Sequence, residues 1–138
     1  MIKQKIAAIA ASALAACAMI GATAFATTNG VPKYDFGPTT LTAGGSAYKT
    51  LNRYKEDDKS AWVDVQHGLS SGYTFATFQV NNADGSIATN AVDLWRNGEH
   101  YIPYRSGQGT PKRYYYLRYY MEPQGNADSM YIGGIWAP

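Results

Sequence analysis

At 138 residues the chain is long enough for one domain with a sizeable core and too short for two. Twelve basic residues face ten acidic ones, a balance that implies no nucleic-acid partner, since binding to a phosphate backbone depends on clustered Lys/Arg. The single cysteine, Cys17, excludes an internal disulfide and a cysteine-built metal site.

The start, Met1-Ile2-Lys3-Gln4-Lys5, is short and basic, and an Ala/Ile/Leu-rich run follows from Ile6 into the early twenties. Ala24-Phe25-Ala26 then supplies the small-x-small pattern after which export peptidases cut. Together these predict a helical secretory signal peptide over 1–26 and a secreted mature domain over 27–138, without a membrane span. Lys3 and Lys5 would leave with the leader, so ten basic and ten acidic residues would remain and cancel. Leu14-Ala15-Ala16-Cys17 offers a second reading, a lipobox that would leave the protein lipid-anchored at Cys17. The apolar run continues past Cys17 to the later cleavage pattern, which favours secretion.

Beyond the leader, Tyr34 and Phe36 alternate around Asp35 and predict a first strand that Gly37-Pro38 breaks. Gly44-Gly45 turns the chain into a strand over Ala47–Tyr54, with Tyr48, Thr50, Asn52 and Tyr54 on one face. The cluster Lys55-Glu56-Asp57-Asp58-Lys59 reads as a solvated loop, since its lysines already balance its carboxylates. Ala61–Gln66 alternates again, with Ala61, Val63 and Val65 together. Tyr73–Val80 carries aromatics on both faces and so belongs inside its sheet. Asn81–Ser86 is dense in turn formers. It lacks the alternating acids of a calcium loop.

Ile87–Arg96 and Glu99–Arg105 flank Asn97-Gly98, a pair that tolerates the positive φ of a type I′ turn, and a hairpin is predicted there. Pro103 cannot donate to a ladder, so the second of these strands should lie at an edge or be broken there. Met130–Trp136 closes the series, with Gly133-Gly134 marking a bulge or a close backbone approach. No segment beyond the leader sustains a 3.6-residue apolar period. The pattern is all-β: a single antiparallel β-sandwich of about seven or eight short strands.

Little in the sequence points to catalysis. His67 and His100 are the two histidines, and Ser70 and Ser71 lie near the first, but triad members meet in space rather than along the chain. Neither a Gly-x-Ser-x-Gly elbow nor a His-Glu-x-x-His helix is present. Asp64, Asp93, Glu99 and Glu122 could pair for glycoside hydrolysis, yet no long loops wall a cleft. The expectation is a non-enzymatic protein that needs no cofactor and no metal.

The densest β-forming segment, Arg113-Tyr114-Tyr115-Tyr116-Leu117-Arg118-Tyr119-Tyr120-Met121, carries the functional expectation. Alternation puts Tyr115, Leu117, Tyr119 and Met121 on one face, assigned to the core by its aliphatic members. Tyr114, Tyr116, Arg118 and Tyr120 share the other face. With Tyr101 or Tyr104 from the preceding strand they would form a half-wet aromatic platform. Tyrosine offers a broad apolar ring and a polar tip at low entropic cost, and Arg118 could hold an anion or stack on a ring. A cell-wall glycan or an extracellular protein is the partner class; nucleic acid is not.

The leader, the strand Phe75–Val80 leading into Asn81-Asn82, the tyrosine strand and the ending Tyr131-Ile132-Gly133-Gly134-Ile135-Trp136 together resemble small uncharacterised secreted proteins of Gram-positive bacteria, grouped as a domain of unknown function. That resemblance implies an exported β-sandwich and transfers no catalytic residue. Lactococcin-type secreted β-sandwich bacteriocins, which act on cell-wall precursors, are similar in size and leader. They make an antibacterial protein the alternative, and a small hydrolase a more distant one.

Overall fold

The computed structural model describes residues 24–28, 31–69, 72–124 and 126–138. Residues 1–23 of the expected leader, Cys17 among them, and Ser70 and Ser71 lie outside the described residues. The fold is all-β, with two antiparallel sheets packed as a sandwich. In chain order the strands are β1 (Ala24–Thr28), β2 (Val31–Thr42), β3 (Tyr48–Lys49), β4 (Arg53–Tyr54), β5 (Ala61–His67), β6 (Ala76–Asn82), β7 (Val92–Leu94), β8 (Gly98–Ile102), β9 (Tyr114–Tyr120) and β10 (Ser129–Ala137). The first sheet has the order β1-β2-β10-β5-β8. The second runs β3-β9-β6-β7, with β4 also paired to β9.

Alternation fills the space between the sheets. From the first sheet come Phe36, Leu41, Val63, Val65, Ile132 and Trp136; from the second, Phe78, Val80, Tyr115, Leu117 and Tyr119. Phe36, Phe78 and Tyr119 meet at the centre, Phe36 edge-on to both partners at 5.5 and 5.3 Å. Such edge-to-face pairs add to what area burial alone contributes.

Several sequence expectations change: the strand expected over Ile87–Arg96 is confined to Val92–Leu94, Lys55 of the expected solvated loop is buried, and three further changes concern strand pairing. Gly37-Pro38 does not end the first strand: β2 passes through it, because Gly37 takes φ +66° at a bulge opposite Gly133 and pairing with β10 resumes on the far side. A side chain on Gly37 would meet the Ile132 carbonyl oxygen at 2.5 Å.

Ala47–Tyr54 is two short edge pieces rather than one strand. Lys49 pairs with Arg118 and Arg53 with Tyr115, four residues against three, so one residue is extra. Thr50 fills the irregularity, its hydroxyl accepting from the Leu117 N–H at 2.9 Å. The extra residue reverses parity, and Tyr48 and Tyr54 end on opposite faces.

Asn97-Gly98 is not a hairpin. It carries the chain from β7 in the second sheet to β8 in the first. The Asn97 carboxamide oxygen accepts from the Leu69 N–H at 2.9 Å, tying the crossing to the loop after β5. Gly98 keeps the positive φ that the dipeptide announced, at +111°. The edge expectation for the following strand holds, and β8 stops just before Pro103.

Candidate functional site

Because Tyr115, Leu117 and Tyr119 point inward, Tyr114, Tyr116, Arg118 and Tyr120 point away from the core on the second sheet. Their cross-strand partners complete the face. Tyr54 lies beside Tyr114, Asn81 beside Tyr116, Lys49 and Gln79 flank Arg118, and Thr77 lies beside Tyr120 with Asp93 beyond it.

The four predicted residues differ in access. Tyr114 is 55% exposed, Arg118 and Tyr120 are half-buried, and Tyr116 is only 7% exposed. Alternation fixes a direction, but neighbours decide coverage. Lys49 places its ammonium 5.4 Å from the Tyr116 ring centre, and the Asn81 amide beside it donates to the Gly85 carbonyl at 3.1 Å. The Arg118 guanidinium lies 4.5 Å over the Tyr120 ring, so the stacking expected of it occurs within the face itself. Tyr54 meets Tyr114 edge-on at 5.3 Å.

Polar groups between the rings are held in place. The Thr77 hydroxyl donates to Asp93 at 2.7 Å, and the Gln79 amide donates to the Thr89 carbonyl at 3.3 Å. At the upper end Phe75 and Trp95 pack with ring centres 4.5 Å apart and planes tilted by 33°, and Trp95 is exposed. The sequence reading did not single out Trp95. Its parity opposite Leu94 was the available signal, since Leu94 faces the core.

Two predicted members do not join this face. Tyr101 lies on β8, in the other sheet, as the cross-strand neighbour of Trp62. It is exposed beside a cavity of about 240 Å³ where the Lys33 ammonium lies 3.8 Å over the Trp62 ring. Tyr104 turns inward between the sheets and packs 5.3 Å from the Tyr115 ring. The Lys55 ammonium, fully buried, lies 4.7 Å over the Tyr104 ring and donates to the Lys59 carbonyl at 2.6 Å. Burial pushes the Tyr104 phenol well above its usual range, and burial lowers Lys55 despite Asp57 at 3.4 Å. The Tyr104 hydroxyl finds no hydrogen-bond partner among the described residues.

Of the residues weighed for catalysis, His67 is exposed and stacks on Tyr131 at 5.8 Å, and a His100 ring nitrogen lies 2.8 Å from the Arg96 carbonyl. Asp64 and Glu99 are cross-strand neighbours on the outer side of the first sheet, while Asp93 belongs to the second. Among the described residues no three His, Cys, Asp or Glu side chains group to hold a metal ion. No family model matches the chain, and no curated protein matches it.

Proposed function

We propose that this chain is an exported, non-enzymatic binding protein that takes a cell-envelope partner on the outer face of its second sheet. The observation that supports this reading is the outward row of β9. Its reverse side is filled by core, and its outward side sets Tyr114, Tyr120, Lys49 and Arg118 in one array with amides and hydroxyls between them. Rings of this kind supply contact area at small ordering cost, and cations beside them discriminate by charge.

The test is co-sedimentation of purified protein with isolated cell walls. The Tyr114→Ala/Arg118→Ala/Tyr120→Ala variant leaves the covered Tyr116 in place. Pelleting should fall about tenfold, as expected when central aromatic and arginine anchors are lost. Equal pelleting of both proteins, or none of either, sinks the reading.

A further inference from the structure

Below Tyr114 the face runs into a polar cleft of about 550 Å³ between the β6–β7 loop and the loop that precedes β9. Lys112 and Arg113 line it together with Asn82, Gln108 and Tyr114. The two walls are joined by the Asn82 amide, which donates to the Gln108 carboxamide oxygen at 2.9 Å. That contact occupies the Gln108 carboxamide oxygen as an acceptor, and the other end of the amide, its NH₂ group, is a donor.

Lys112 has φ +63°, the left-handed region, and is the non-glycine residue so placed among the described residues. Glycine takes this conformation without strain and lysine only at a cost. The backbone holds it there with two bonds, Lys112 N–H to the Lys55 carbonyl at 2.8 Å and Lys55 N–H to the Arg113 carbonyl at 2.9 Å. A strained residue at a cleft is grounds for seeking a function in its side chain. What lysine adds over glycine here is a positive charge. The acid on the cleft lining, Asp84, is engaged by Ser86, whose N–H and hydroxyl donate to it at 2.9 and 2.6 Å.

We propose that this cleft binds oxyanion groups, phosphate or carboxylate, of an anionic envelope polymer. The polymer then continues along the tyrosine face past Lys49 to Arg118. From Lys112 to Arg118 an extended chain covers roughly 20 Å, enough to engage several repeating charges. The inference rests on the reading of that face as the binding surface and names its partner. The small net charge of the whole chain, +2, does not oppose it, since local clustering rather than net charge governs such contacts.

The experiment compares retention of the full chain on beads carrying polyphosphate, polygalacturonate or neutral dextran. Retention is expected on at least one polyanion, not on dextran, and should disappear at high salt; which polyanion retains the protein distinguishes phosphate from carboxylate. Lys112→Gly should weaken retention about tenfold, in line with loss of one charge-assisted contact. It should also melt at or above the wild-type temperature, because glycine relieves the backbone. Arg113→Gln should weaken retention likewise, and Lys112→Arg should keep it. Retention on neither polyanion, or unchanged retention in Lys112→Gly, overturns the proposal. If cell walls still pellet the wild type but not the tyrosine-face variant, the face survives and the anionic partner alone is lost.

Discussion

The two outer faces of the sandwich are built by the same alternation and carry different chemistry. On the second sheet, outward positions of β9 and its neighbours hold tyrosines, two cations and amides. On the first sheet, Lys33, Trp62 and Tyr101 line the cavity beside Asp64 and Glu99, two carboxylates opposed across adjacent strands. Like charges directly opposite destabilise a sheet, and each outer face carries such a pair, Asp64 with Glu99 on the first and Lys49 with Arg118 on the second, where the Tyr116 and Tyr120 rings lie against the two cations. A strand's parity thus decides which side chains leave the core. The partner strands decide what kind of surface they enter.

The comparison can be broken hardest at β10. Gly134 sits where an added methyl would collide with the Asp64 carbonyl oxygen and come 2.9 Å from the Phe36 ring. Gly134→Ala should separate β10 from β5 and cost about 4 kcal/mol or more in denaturant unfolding. The tyrosine face should lose its order with the rest of the fold, because both sheets share one core.

Trp62→Ala and Tyr116→Ala probe the covered aromatic on each outer face, 8% and 7% exposed. Each should cost about 3 kcal/mol, near the values for aromatic truncation at buried sites. A much smaller cost for Tyr116 would mean that its cover is loose, and the two faces would then differ in packing as well as in chemistry.

Tyr104→Phe removes a buried hydroxyl that lacks a partner among the described residues, and should stabilise by about 1 kcal/mol in the same assay. The related pH dependence has a definite sign. Burial raises Tyr104, Tyr119 and Tyr115 above the usual phenol value. Their contribution is therefore fully present below about pH 10 and lost as pH rises through the folded-state values. Lys55 acts oppositely: its lowered value makes its contribution greatest above the ordinary lysine range and reduces it as pH falls. Three phenols against one ammonium predict net loss of stability in alkali, measurable as a falling melting temperature with rising pH. Tyr104→Phe should flatten that fall.

The smallest effects belong to the open rims. Tyr114→Ala and Tyr101→Ala, at 55% and 70% exposure, should each change stability by only about 0.5 kcal/mol. Of the two, Tyr114→Ala alone should weaken cell-wall pelleting.

The sequence disclosed the class of fold and the inner face of the tyrosine strand, because a strict two-residue period with Leu117 and Met121 in phase has few other readings. It also disclosed the irregular, close-packed place at Gly133-Gly134, where the extra residues of the bulges lie on the facing strands β2 and β5 and the backbone of β5 approaches Gly134. It did not disclose which sheet each strand joins. Asn97-Gly98 specifies positive φ at a turn, and that local geometry serves a crossing between sheets as well as a hairpin; Tyr101 was misplaced for this reason. The parity error over Ala47–Tyr54 has a similar origin, since one unpaired residue at Thr50 leaves no compositional trace. Tyr116 shows a third limit. Its direction was legible, but its cover by Lys49 and Asn81 depends on strands far away in the chain.

One feature of the topology bears on when the molecule can exist at all. The strand in the middle of the first sheet, β10, follows all the others in the chain, and it stands between β2 and β5. Until it arrives, those two neighbours have unfilled edges and Trp136 is missing from the interior. Long-range pairings of this type form late and slowly. A polypeptide emerging N-terminus first would stay open until β10 was free, and any block on that strand would hold it in a threadable, protease-sensitive condition.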